Sequence, residues 1–151
     1  MQPQFLGRWD CSIDSKRRLT LPAKLREKLA QIDDSVELIV TVGHRGCLLV
    51  IPPTTWEEFA RDLFQAPVQG NRETLILRGR LARYGAHSKL DGSGRISLTE
   101  EQMKIAGLER EAIVFGNFSR IEIWSPVAFE AANPPIEDLE QHDALVEKYL
   151  G

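Results

Sequence analysis

One segment of this chain occurs twice, 77 positions apart, counting from Asp14 to Asp91. Asp14-Ser15-Lys16-Arg17-Arg18-Leu19-Thr20-Leu21 returns as Asp91-Gly92-Ser93-Gly94-Arg95-Ile96-Ser97-Leu98. Both copies read Asp-x-x-x-Arg and then alternate apolar, hydroxyl and apolar residues, the period of a half-buried strand. Each is followed by a helical segment, an apolar strand pair and a Pro-x-x-aromatic step, Pro53 to Trp56 and Pro126 to Phe129. From Pro53 to Pro126 the offset is 73, so the copies drift by four residues between these landmarks. A repeat of this length is a structural unit copied whole, and the chain is read as two versions of that unit.

The local patterns divide the chain further. Trp9, Cys11 and Ile13 alternate with polar residues and predict a strand ending at Asp14. Lys16-Arg17 then forms a tight turn, and Arg18 begins the return strand. Pro22 suits the first turn of a helix that carries Leu25 and Leu29 on one face. Val36–Val42 and Cys47–Ile51 flank Gly43-His44-Arg45-Gly46 as a hairpin. Thr55-Trp56-Glu57-Glu58 has the order of a capping box and predicts a short helix with Phe59 and Leu63 inward. Residues 66–70 break that helix as a linker, and Asn71 caps a connector helix with an apolar face of Leu75, Leu77, Leu81 and Ala82.

In the second copy, His87–Leu90 and Ile96–Leu98 are strands around the Asp91–Arg95 turn. Thr99 and Gln102 form a second capping box before Met103 and Ala106. Ala112–Phe115 and Arg120–Trp124 predict a hairpin turning at Gly116-Asn117. Asn133-Pro134-Pro135 ends the repeat, and Ile136–Leu150 is an acidic amphipathic helix that has to dock on its own body or on a neighbour. The expected division is a first repeat over 5–53, connector helices over 54–79, a second repeat over 80–126 and a C-terminal helix over 127–151.

A net charge of −3 at pH 7 argues poorly for a nucleic-acid binder until it is divided by position. Residues 1–29 hold seven Lys or Arg against three acids, whereas residues 130–151 hold six acids against Lys148 alone. Such a split marks a basic interaction face and an acidic tail. No apolar run reaches the roughly 18 residues of a membrane span, and the start of the chain lacks a signal-peptide apolar region. Cys11 and Cys47 allow one disulfide between them, but without a Cys-x-x-Cys pairing they read as reduced thiols of a cytoplasmic protein.

Catalytic signatures are missing. His44, His87 and His142 have no metal-ligand spacing, and there is no nucleophile elbow, phosphate loop or dinucleotide fingerprint. The expectation is a non-enzyme with no cofactor, no metal, no small-molecule substrate and no membrane partner. Lys16, Arg17 and Arg18 place three cations within about 7–10 Å of chain, a density suited to phosphates. Arginine can also read a guanine edge bidentately. Asp14 accepts from the turn backbone or orients Arg18 through a fork pair. In the second copy Gly92, Ser93 and Gly94 leave Arg95 alone with Asp91, which reads equally as a DNA contact and as a hairpin-stapling ion pair.

These motifs resemble the MraZ family, the two-repeat branch of the AbrB/MazE-like swapped-hairpin superfamily. The resemblance covers residues 5–130. In the first copy it rests on Phe5-Leu6-Gly7, Asp14-x-Lys16-x-Arg18-Leu19-x-Leu21-Pro22-Ala23-Lys24-Leu25-Arg26 and Cys47-Leu48-Leu49 before Trp56-Glu57. In the second it rests on Asp91-x-x-Gly94-Arg95, Ala106-Gly107-Leu108 and Arg120-Ile121-Glu122-Ile123-Trp124. It implies an α+β, mainly β fold of the double-split β-barrel type in which the two copies interlock. It implies ring-like homo-oligomers and a sequence-specific regulator of division and cell-wall genes. The expected partner is double-stranded promoter DNA carrying repeated short boxes, and the expected place is the nucleoid.

The resemblance makes Arg18 the DNA contact. With it the expected interface comprises Lys16, Arg17, Lys24 and Arg95, with Asp14 and Asp91 as orienting groups. Arg17 stands where the family turn usually has Gly, Thr99 and Met103 where the second copy usually has Pro and Arg, and Cys11 where His is frequent. Basic character is thereby concentrated in the first copy, and Arg95, with no cation beside it in its own turn, is expected to matter less than Arg18. The competing reading is a ring-forming scaffold with protein partners, in which the basic loop serves assembly.

Overall fold

The computed structural model describes residues 4–65 and 71–151. The first copy contains β1 (Phe5–Ser12), β2 (Arg18–Thr20), α1 (Ala23–Ile32), β3 (Glu37–Val42), β4 (Leu48–Ile51) and α2 (Pro53–Gln65). Then α3 (Arg72–Tyr84) leads to β5 (Ala86–Lys89), β6 (Arg95–Ser97), α4 (Glu100–Ile105), β7 (Glu111–Phe118), β8 (Arg120–Trp124) and α5 (Pro126–Ala132). The last element is α6 (Leu139–Leu150). The fold is α+β, with a six-stranded antiparallel sheet in the order β1-β7-β8-β4-β3-β5 and a two-stranded sheet of β2 and β6.

Neither copy completes a sheet by itself. β1 pairs with β7 of the second copy, and β5 pairs with β3 of the first. An unpaired strand edge is a row of unsatisfied N–H and C=O groups, and this exchange covers one such edge in each copy. Ser12 faces Glu111 just as Lys89 faces Glu37, so one contact is made twice about an approximate two-fold axis. That axis passes between Leu19 and Ile96, which face each other in the small sheet, and between Leu49 and Glu122 in the large one. The four-residue drift has a definite place. The offset is 77 from Ser12 to Lys89, 74 from Glu37 to Glu111 and 73 from Leu49 to Glu122. Most of it lies in the first helix, ten residues long in α1 and six in α4.

The core lies between the two sheets and α1. Leu19, Leu21, Leu25, Leu38, Leu48, Ile96, Ile121 and Ile123 are fully buried. Each such side chain contributes about 1.5–3 kcal/mol on leaving water. α1 buries Leu25 and Leu29, the face that their spacing predicts, and α4 carries the Thr99–Gln102 capping box. The buried Gln102 amide donates to Val40 O and Tyr84 O at 3.0 and 2.8 Å, tying α4 to β3 and to the end of α3.

Several local expectations are corrected. Pro22 occupies the cap position before α1 rather than its first turn. The helix predicted from Thr55 begins two residues earlier: Trp56 N–H donates to Pro52 O, so Pro53 takes the first position and Thr55 lies inside. A proline at the first helical position costs no hydrogen bond, and it outcompetes the capping box. Phe59 is 43% exposed rather than in the core. The β7–β8 hairpin turns at Phe118-Ser119, because Asn117 already pairs with Arg120. Gly116 is instead a strand residue pressed against β1, where an added Cβ would lie 2.7 Å from Leu6 N. The α3 face buries only Leu81, leaving Leu75 and Leu77 exposed. The C-terminal helix starts at Leu139 and buries no residue. The linker expected at residues 66–70 lies outside the described residues.

Candidate nucleic-acid interface

The two Asp-x-x-x-Arg segments form the same three-residue hairpin loop. In the first, Arg17 N–H donates to Asp14 O at 3.0 Å and Asp14 N–H to Arg18 O at 2.9 Å. In the second, Gly94 N–H donates to Asp91 O at 2.9 Å and Asp91 N–H to Arg95 O at 3.0 Å. This is a turn followed by one left-handed residue, and that residue is Arg17 with φ 59° or Gly94 with φ 78°. Glycine adopts this conformation freely, whereas a side chain costs roughly 1–2 kcal/mol there.

Each aspartate organises its loop. Asp14 Oδ1 accepts from the N–H groups of Lys16 and Arg18 at 2.9 Å, and Oδ2 accepts from Arg18 Nε at 2.8 Å. Asp91 repeats the set with Ser93, Arg95 and Arg95 Nε at 2.9, 2.9 and 2.8 Å. The Arg18 N–H, the Arg18 guanidinium and the Lys16 N–H hold the Asp14 carboxyl below its ordinary pKa, against a smaller opposing effect of burial. Asp91 is lowered in the same way by Arg95 and Ser93. The carboxylate is the hub, and the arginine is oriented through Nε.

The register brings the two arginines together. Arg18 pairs with Ser97 and Thr20 with Arg95, so all four lie on one face of the β2–β6 ribbon. Leu19 and Ile96 point the other way into the core. Arg18 and Arg95 are diagonal neighbours, about 7–8 Å apart by strand geometry. Arg95 has no cation in its own turn, and the register sets Arg18 of the partner strand diagonal to it. Lys16 is exposed at the tip of the first turn, and Lys24 is exposed in the first turn of α1.

Arg17 is turned toward the other copy. Its Nε donates to Leu98 O at 3.1 Å, and its Nη1 lies 3.7 Å from Glu100. These bonds over-determine the left-handed conformation and make it tenable.

The family described as "MraZ protein, putative antitoxin-like" matches residues 4–79 and 84–144. The chain belongs to the MraZ family. A relative from Saccharopolyspora erythraea named "Transcriptional regulator MraZ" is 40% identical over 121 residues, covering 80% of each chain. Relatives of the same name come from Lachnoclostridium phytofermentans, 34% identical over 127 residues (84% of this chain, 85% of the relative), and Hydrogenovibrio crunogenus, 32% identical over 135 residues (89% and 88%).

One residue at this interface was missed from sequence, although the family motif contains it. Arg26 Nε donates to Leu21 O at 3.0 Å, the carbonyl whose repeat counterpart, Leu98 O, accepts from Arg17 Nε. The Arg26 guanidinium lies over Gly94, where an added Cβ would meet its Cζ at 2.6 Å. A helix arginine thus does at the second turn what a loop arginine does at the first. The available signal was that Met103 replaces its repeat counterpart while Gly94 replaces Arg17.

Away from this face, the reactive groups are muted. Cys11 and Cys47 are both free thiols, and burial raises the pKa of each, that of Cys47 to about 12. The buried Glu122 carboxylate accepts from Trp124 Nε1 at 3.0 Å and is a packing element of β8. Among the described residues no three His, Cys, Asp or Glu side chains are grouped to hold a metal, and no helix is long and apolar enough to cross a membrane.

Proposed function

We propose that this chain is a non-enzymatic transcriptional regulator that binds double-stranded DNA through the exposed face of the β2–β6 ribbon. The observation that carries the reading is the pair Arg18 and Arg95, each held by an aspartate on that one face, with Lys16 at a turn tip. A two-stranded ribbon fits a major groove about 12 Å wide, and an arginine guanidinium can donate to guanine O6 and N7 or to phosphate. The name of its relatives, "Transcriptional regulator MraZ", supports the class.

One ribbon offers few phosphate contacts, too few for tight binding at physiological salt. A ring-like homo-oligomer presenting several ribbons would engage repeated short promoter boxes through effective concentration. On the family resemblance those boxes belong to the division and cell-wall gene cluster, which makes the protein cytoplasmic and nucleoid-associated. The test is selection of bound fragments from random DNA, followed by isotherms on one and on several boxes. Tighter binding to several boxes, with a steep loss on adding salt, is the expected result. No binding to any selected fragment at low salt would leave the scaffold reading in its place.

A further inference from the structure

An apolar groove of about 1010 Å³ lies between the large sheet and the helices α2 and α3. Its floor and walls include Ile51, Trp56, Phe59, Leu77 and Leu81, and Arg80 and Arg83 stand on its α3 side. Phe59 and Leu77 are 43% and 41% exposed, and α2 buries none of its residues fully. An apolar surface of this extent on a soluble domain marks an interaction site.

The same chain carries a helix with the matching pattern. α6 buries no residue, although Leu139, Val146 and Tyr149 form one stripe at helical spacing. Glu140, Asp143 and Glu147 run as a second stripe beside it. On α3, Leu77 and Leu81 are flanked by Arg80 and Arg83 in the corresponding way. Twelve residues make α6 about 18 Å long, and the helix is capped by the Asp138 carboxylate at Gln141 N–H. It packs none of its residues fully against its own body.

We propose that α6 of one copy docks into the α2–α3 groove of a second copy, with Val146 and Tyr149 covering Phe59 and Leu77 and the acidic stripe facing Arg80 and Arg83. Groove and helix are different surfaces of the chain, so the contact is heterologous and propagates head to tail, closing into a ring when the rotation permits. This rests on the self-association proposed above and is independent of DNA.

The test places a benzophenone amino acid at Tyr149, which is 71% exposed. Chains with light and heavy nitrogen are mixed, irradiated and digested, and light scattering records assembly in the same sample. The expected products are mixed-isotope peptides joining position 149 to residues 53–59 or 77–83. Leu77→Asp, at an exposed site, should reduce them at least tenfold while the melting curve stays in place. Links only within one isotope would mean docking in the same chain, and links between two copies of α6 would mean helix pairing. Either result overturns the proposal, as does a sample that assembles without linking to the groove. A monomer without links sinks the oligomer reading as well.

Discussion

The two turns have one backbone and two surfaces. Both place an aspartate under a three-residue loop, with bonds to the same backbone positions and to the same arginine nitrogen, alike to within 0.1 Å. At the tips, however, Lys16 and Arg17 of the first copy correspond to Ser93 and Gly94 of the second. The side chains in the hydrogen-bond skeleton are thus Asp and Arg alone, and tip charge is a separable addition. The left-handed position shows the cost of that addition. Gly94 meets the conformation freely, whereas Arg17 needs bonds to the other copy.

The two turns should differ most at the paired arginines. Arg18→Ala should cost about 1–3 kcal/mol of specific binding, while the melting temperature moves little because the Asp14 pair is exposed and contributes only about 0–1 kcal/mol. Arg95→Ala should cost less, since Lys16 supports only the first turn. Matched isotherms and melts decide it; equal losses would mean that the ribbon face reads DNA symmetrically and that tip charge is incidental.

The left-handed position gives the next largest effect, now on stability. Gly94→Ala should destabilise by roughly 1–2 kcal/mol, because the Cβ also displaces the Arg26 guanidinium. Arg17→Gly should stay within about 1 kcal/mol of the parent, since relieved strain offsets the lost bond to Leu98 O. Urea denaturation of the two variants measures both, and a large loss for Arg17→Gly would show that the cross-copy bond matters more than the strain.

Tip charge itself is read by salt. Lys16→Ala should lower the slope of log affinity against log salt by about one unit, with only a small change at low salt. Ser93→Lys should raise that slope by a similar amount if the second tip also passes along DNA. An unchanged slope in Ser93→Lys would restrict phosphate contact to the first copy.

The smallest effect is a pH dependence that the two turns should share. Asp14 and Asp91 are held below their ordinary pKa in the folded state, so their contribution is fully present above the unfolded value near 4. It is lost as pH falls through the lower folded value. Melts from pH 7 downward should show the loss only under acid conditions, and Asp14→Asn or Asp91→Asn should each remove part of it to a similar extent. A loss beginning near neutrality would point to groups outside the turns.

What the sequence determined by itself is what neighbouring residues can settle among themselves. The Asp-x-x-x-Arg loops, the Asn71 and Thr99 caps, and the Leu25–Leu29 face each involve groups within about four positions, where side-chain chemistry selects one local hydrogen-bond pattern. Family motifs extended that reach to the interlocking of the copies. The tertiary structure alone decided the rest. It put Arg95 beside Arg18 through the β2–β6 register, set Arg26 over Gly94, and turned Gly116 from a predicted bend into a strand residue under β1. It also left Phe59 and Leu77 around an open groove. Strand register and close backbone approach depend on partners up to about a hundred residues away, and a one-residue slip would reverse every face. Alternation along one strand cannot encode which strand will lie opposite, so those placements are legible only once the chain has folded.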